Sequence, residues 1–275
     1  MTTPFIQFEG VSKAFNGNTV LRGIDLAIYQ GEITTIIGKS GGGKSVLLKH
    51  IIGLLEPDDG RITIDGQCLT DVKGRARKNL RRRFSYMFQD SALFDSMTVY
   101  ENIALPLQER GRLKPVEIKA RVHARMRDLD LGAIDDTYPS QLSGGMKKRV
   151  ALARALVTDP EAVLFDEPTT GLDPVRKNSV HNMIAEYQQR LGFTAVLISH
   201  EIPDVFYFSQ RIAMLHEGRI IYAGTPNELQ RISDPVVHEF IQGFENSADD
   251  SADTIQDGSW KSHFNAEMAR MQRHH

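Results

Sequence analysis

Apolar positions along this chain change period several times, and each change marks an element. Phe5-Ile6-Gln7-Phe8 reads at strand period, and Asn16-Gly17-Asn18 follows as a turn. Glu32-Ile33-Thr34-Thr35-Ile36-Ile37 is a β-branched run suited to a buried strand. A glycine-rich stretch comes next, and from Val46 to Leu55 the apolar residues recur at helical spacing. Pro57-Asp58-Asp59-Gly60 ends that helix with a turn, and Gly60 to Gly66 suits a short strand. Residues 98 to 135 are charged and helical in character. Glu161 to Asp166 and Thr194 to Ile198 are two further buried strands, and Arg211 to Tyr222 predicts a hairpin turning at Glu217-Gly218. These elements predict a mixed α/β core with a helical insertion from about 90 to 160 and no internal repeat.

Composition narrows this little. The 275 residues suit one or two domains, with 41% apolar and 25% charged residues, ordinary globular usage. A formal net charge of −2 predicts no bulk attraction to nucleic acid or anionic membrane. The lone cysteine, Cys68, has no internal disulfide partner, which fits a reducing compartment. The opening MTTPFIQFEG lacks the basic region and apolar stretch of a signal peptide. No run reaches the roughly 18 apolar residues of a membrane span. Any membrane role is therefore expected through a partner, from the cytoplasmic face of the inner membrane.

The chemistry begins at Gly38-Lys39-Ser40-Gly41-Gly42-Gly43-Lys44-Ser45, which fits the phosphate-binding pattern G-x-x-x-x-G-K-[ST]. Gly41, Gly42 and Gly43 let backbone N–H groups converge on a phosphate with no side chain in the way. Val46 opens the apolar spacing of the helix, whose N-terminus adds a favourable dipole. Lys44 is expected to reach the β- and γ-phosphates, and Ser45 to offer its hydroxyl to Mg²⁺. Asp166 ends an apolar strand. A carboxylate there needs a partner, and a hydrated Mg²⁺ is one; a helix cap or turn residue is the alternative. Glu167 follows directly.

About a hundred residues after the loop stands Leu142-Ser143-Gly144-Gly145-Met146, shortly before Val163-Leu164-Phe165-Asp166-Glu167-Pro168. The pairing resembles the ATP-binding-cassette (ABC) ATPases. The resemblance covers residues 5 to about 243 and implies a P-loop NTPase core with an antiparallel β subdomain and an inserted α-helical subdomain. It implies ATP hydrolysis by two cassettes that sandwich two ATP. Ser143, Gly144 and Gly145 of one copy would close on the γ-phosphate held by the other. Glu167 takes the position of the general base. Gln89 resembles the glutamine that contacts Mg²⁺ and water and senses the membrane partner. His200 resembles the switch histidine on the γ-phosphate, and Asp173 would contact the opposite subunit. Phe15 sits where an aromatic, usually Tyr, stacks on adenine; a core or surface Phe is the alternative.

The signature ends in Met146 where the family's commonest form has Gln. With Lys44 to Leu54 and Ala92 to Val99 it resembles the ATPase subunits of Mla-type lipid transporters that work with MCE-domain proteins. This branch implies a membrane permease, an MCE-domain lipid-binding subunit, an accessory subunit and a phospholipid cargo. A rival class is a nucleic-acid or translation ATPase, for which the basic run Lys73, Arg75, Arg77, Lys78, Arg81, Arg82, Arg83 is the best feature. A solvated helix face leading into a strand at Phe84 explains that run without nucleic acid. Residues 244 to 275 read as an acidic linker and a short helix carrying Trp260, Phe264, Met268 and Met271 on one face. That face either docks on a partner or ends the chain loosely.

Overall fold

The computed structural model describes residues 3–88, 91–111, 113–199, 202–229, 231, 232 and 237. Its contacts divide the chain into residues 1–231 and 232–275. In the second unit only Ile232 and Val237 are described, so the linker and the face of Trp260, Phe264, Met268 and Met271 lie outside the described residues. So do Gln89 and His200.

A hairpin opens the fold. Strand β1 (Ile6–Phe15) turns through Asn16 and Gly17, both at positive φ (50° and 81°), into β2 (Asn18–Ile28). Two consecutive left-handed residues match the twist of a tight hairpin, which is why Asn-Gly stands there. Strand β3 (Ile33–Ile37) is buried throughout and leads into α1 (Lys44–Ile51). Next come β4 (Asp59–Ile64), β5 (Gln67–Cys68), α2 (Gly74–Arg81) and β6 (Phe84–Met87). Among the described residues the insertion holds the α-helices α3 (Val99–Arg110), α4 (Pro115–Asp128) and α5 (Gly144–Leu156), with a short 3-10 turn at Pro139–Gln141. The chain then runs through β7 (Ala162–Asp166), α6 (Pro174–Leu191), β8 (Thr194–Ser199) and α7 (Ile202–Phe208). The hairpin β9 (Arg211–His216) and β10 (Arg219–Gly224) precedes α8 (Pro226–Leu229), and Glu217-Gly218 makes its turn as expected.

Strands β2-β1-β4-β5 form an antiparallel sheet, and β10-β9-β3-β8-β7-β6 form a six-stranded sheet. All neighbours in the larger sheet are parallel except β9 and β10. The register aligns Ile37 with Ser199 and Met214, and Asp166 with Ile198. The ends of β3, β7 and β8 therefore lie side by side. In a parallel sheet that carboxyl edge is where ligands bind.

Two expectations need correction. Helix α1 stops at Ile51, not Leu55, because Gly53 takes the left-handed conformation (φ 64°). The N–H groups of Gly53 and Leu54 then donate to the His50 and Lys49 carbonyls (both 2.9 Å), which close the last turn. Nor is the basic run only a solvated face. Arg77 and Arg81 donate to the Gly53 carbonyl, and Arg77 also pairs with Glu56. Arg83 grips Glu161 through two bonds of 2.6 Å and reaches Asp65 at 3.0 Å. Those carboxylates raise its pKa, so the guanidinium stays charged. Part of the run thus secures the end of α1 and the start of β7.

His50 lies fully buried in α1, and its Nδ1–H donates to the Val46 carbonyl at 2.7 Å. Burial lowers its pKa; Lys13 acts in the same direction, while the Val46 bond and Asp58 oppose. The unfolded state then binds more protons, so stability is complete above about pH 6.5 and declines as pH falls below it. The melting midpoint should drop between pH 7.5 and 5.5, and His50→Gln should flatten that drop. Thermal scans at both pH values check this; equal slopes in the two proteins would refute it.

Candidate functional site

The loop after β3 is shaped by what glycine permits. A Cβ on Gly38 would stand 2.3 Å from the Leu215 carbonyl oxygen on β9, so only glycine lets the loop leave the sheet there. Gly43 precedes α1 at φ 98°, where a Cβ would meet Val20 at 2.9 Å. Helix α1 has no side-chain cap and no acidic residue in its first turn. Its first N–H groups are left to an external acceptor, and an anion is the natural one. Lys39, Ser40 and Gly41 are exposed, and Gly42 bonds back to Lys39 at 3.1 Å.

Lys44 is buried beneath this loop. Its ammonium donates to the carbonyls of Gly38 (2.8 Å) and Lys39 (3.0 Å) and lies 3.9 Å from Glu167 Oε1. Burial pushes its pKa down, while Glu167 and Asp166 hold it up. Asp166 ends β7 and accepts from Ser45 Oγ at 2.9 Å and from the Tyr86 hydroxyl at 2.5 Å. Glu167 is forced to φ 49°, and Thr170 Oγ1 donates to its Oε2 at 2.9 Å. Lys148, on α5, donates to the Pro168 carbonyl at 2.8 Å and ties the signature helix to this turn.

These groups border an open cavity of about 510 Å³ lined by Ser40, Gly41, Ser45, Phe88, Ala92, Asp166 and Glu167. A second, of about 400 Å³, adjoins the loop at Gly41 and Gly42 and reaches Val20 and Glu217. Phe15 lines neither. It stands 40% exposed at the end of β1 with the Lys13 ammonium 5.6 Å from its ring centroid.

Ser143, Gly144 and Gly145 are absent from both cavity linings. They form the exposed N-terminus of α5, where Ser143 Oγ accepts from Met146 N at 3.3 Å. A Cβ on either glycine would meet nothing within 4 Å. Asp173 caps α6 by accepting from Arg176 N at 3.0 Å. All four of these residues are exposed to solvent.

Ser45 and Asp166 fit Mg²⁺. Both offer hard oxygen, and the Ser45 hydroxyl keeps its lone pairs after donating to Asp166. Among the described residues no three His, Cys, Asp or Glu cluster as a metal cage. Mg²⁺ needs none, because it keeps several waters and shares its shell with phosphate.

Several contributors escaped the sequence reading. Tyr86 looks like an ordinary strand residue, and Lys148 and Thr170 like solvated polar positions. Arg154 on α5 donates to the carbonyls of Ser91 and Ala92, both at 2.8 Å; those two residues stand at positive φ. The Tyr86 and Arg154 contacts span 62 to 80 residues and the Lys148 contact depends on where α5 lands, so no local pattern announces them. The Thr170 bond is local, but it forms only because the turn after Asp166 brings Thr170 back to Glu167.

The ABC transporter family model matches residues 21–170. Over 238 residues the chain is 36% identical to the probable ribonucleotide transport ATP-binding protein mkl of Mycobacterium leprae, covering 86% of this chain and 69% of that protein. It is 34% identical to the intermembrane phospholipid transport system ATP-binding protein MlaF of Escherichia coli, covering 86% of this chain and 88% of that one. Among solved structures it resembles the ATP-binding cassette MJ0796, a dimer in a post-hydrolysis state bound to ADP and Pi, with TM-score 0.68 and 30% identity over 80% of this chain and 98% of that one. With a phosphate loop, a strand-end Asp-Glu pair and an LSGG helix on one α/β frame, this chain belongs to the ATP-hydrolysing cassettes of the ABC transporter family.

Proposed function

We propose that this cassette powers the movement of a lipid, phospholipid in class, through a membrane permease. The similarity to MlaF across most of that protein's length is the observation that carries the cargo class. No helix among the described residues is long and apolar enough to cross a membrane, so the transport path falls to a partner.

The loop from Gly38 to Val46 holds the phosphates through its backbone, with the Lys44 ammonium beneath them. Ser45 and Asp166, with Gln89 from the sequence resemblance, would hold Mg²⁺, which when bound would supply positive charge against the charge that builds up in phosphoryl transfer. Glu167 orients a water and takes its proton as the water attacks the γ-phosphorus, while the bond from that phosphorus to the bridging oxygen breaks and ADP leaves. By the same resemblance, His200 would contact the γ-phosphate and Phe15 would stack on the base. A second copy brings Ser143, Gly144, Gly145 and Asp173 to the open side of the loop. Their exposure and separation from this chain's own cavity support that arrangement. ATP favours the closed pair over the open one, and that difference in affinity is what a permease can use.

A second reading keeps the mechanism and changes the cargo, since mkl is named for ribonucleotide transport. Capture of the full chain from native membranes, with mass spectrometry of its companions, separates the two. The expected companions are a multi-span permease, an MCE-domain protein and an accessory subunit, with this cassette held at the cytoplasmic face of the inner membrane through the permease. A permease with a solute-binding protein overturns the lipid assignment.

A further inference from the structure

The carboxylate of Asp166 is held at both ends. Ser45 donates to Oδ1 at 2.9 Å, and the Tyr86 hydroxyl donates to Oδ2 at 2.5 Å. The second contact follows from sheet register. Tyr86 on β6 pairs with Leu164 on β7, and Asp166 lies two residues beyond on the same face. The ring is half-buried against the core that includes Leu164, and it packs on Phe88 with centroids 4.7 Å apart. A phenol fixed at its ring has little freedom to take its hydroxyl elsewhere.

We propose that Tyr86 is a positioning residue for the metal site: its hydroxyl locks the Asp166 carboxylate in the orientation that serves Mg²⁺. The inference rests on the assignment of Ser45 and Asp166 to Mg²⁺ above. With both oxygens held, the carboxylate plane cannot rotate about its last bond. Without the phenol, Oδ2 loses a donor next to the cavity and the carboxylate can turn away from Ser45. Partners that orient a metal-binding group typically change metal affinity by about 10- to 100-fold when removed. The Phe88 contact gives the same tyrosine a neighbour one residue before Gln89, so the metal carboxylate is joined to the segment leading into that residue.

The test is nucleotide binding, measured by a fluorescent ATP analogue in the full chain. Affinity is recorded in EDTA and across a Mg²⁺ titration for the parent, Asp166→Asn and Tyr86→Phe. Phenylalanine keeps the ring packing, and a thermal scan confirms that the variant is folded. Tyr86→Phe is expected to raise the Mg²⁺ concentration at half-saturation about tenfold or more while affinity in EDTA changes less than twofold. A merely structural role would weaken both conditions together, and that result overturns the proposal. An unchanged Mg²⁺ half-saturation in Tyr86→Phe, with a clear loss in Asp166→Asn, overturns it while leaving the metal assignment standing. If Asp166→Asn also behaves as the parent, the metal assignment itself falls.

Discussion

Glu167→Gln is expected to bind ATP as tightly as the parent and to turn it over about 100-fold more slowly or worse. Glu167 stands at φ 49°, immediately after the strand-end Asp166. Thr170 holds one carboxylate oxygen at 2.9 Å, and the other faces the Lys44 ammonium at 3.9 Å. Glutamine has the same shape, and its amide oxygen can accept from Thr170 as before. It cannot take a proton from water. Phosphate release should therefore collapse while binding of a fluorescent nucleotide persists. With ATP retained, the variant should also accumulate as a dimer on size exclusion. Turnover above a tenth of the parent, with binding intact, removes Glu167 as the base.

Lys44→Met should act on both binding and turnover. The parent ammonium is buried, held by two loop carbonyls, and is the positive charge closest to Glu167 among those described. Methionine fills the same channel without charge or donors. Losing charge-assisted hydrogen bonds should weaken ATP affinity about 10- to 100-fold. Losing charge stabilisation in the transition state should lower turnover about 100- to 1,000-fold. Mg²⁺ and ATP should raise the parent's melting midpoint but not the variant's at the same concentration, because ligand linkage depends on affinity. A full ligand-induced shift in Lys44→Met would place the ammonium outside the phosphate site.

Much of this site is contiguous in the chain, and that is why it could be read early. A loop that holds phosphate through its own backbone needs its glycines and lysine as neighbours in sequence, as they stand from Gly38 to Ser45. Asp166 and Glu167 stood out because an apolar strand that ends in one carboxylate and runs straight into a second is unusual without a partner for them. The hairpins at Asn16-Gly17 and Glu217-Gly218 were legible for a similar reason: paired positive φ values demand particular residues. The length of α1 was misread because Ile52, Leu54 and Leu55 continue the apolar spacing, while Gly53 ends the helix by its backbone conformation. Periodicity cannot see that choice. The basic run was misread as surface alone because charge count does not reveal that Arg77 and Arg81 face the end of another helix.

By itself the sequence determined the class of chemistry, the phosphate loop, the carboxylate pair and an α/β core, because local spacing encodes local backbone geometry. Only the tertiary structure decided how these parts meet. Strand order put β3, β7 and β8 edge to edge and brought Ser45 to Asp166. Register set the Tyr86 phenol against that carboxylate, and the path of α5 carried Lys148 to Pro168 and Arg154 to Ser91 and Ala92. Such contacts depend on which strands pair and where a helix packs. Those outcomes are settled by burial over the whole core and leave no periodic trace at the residues that touch.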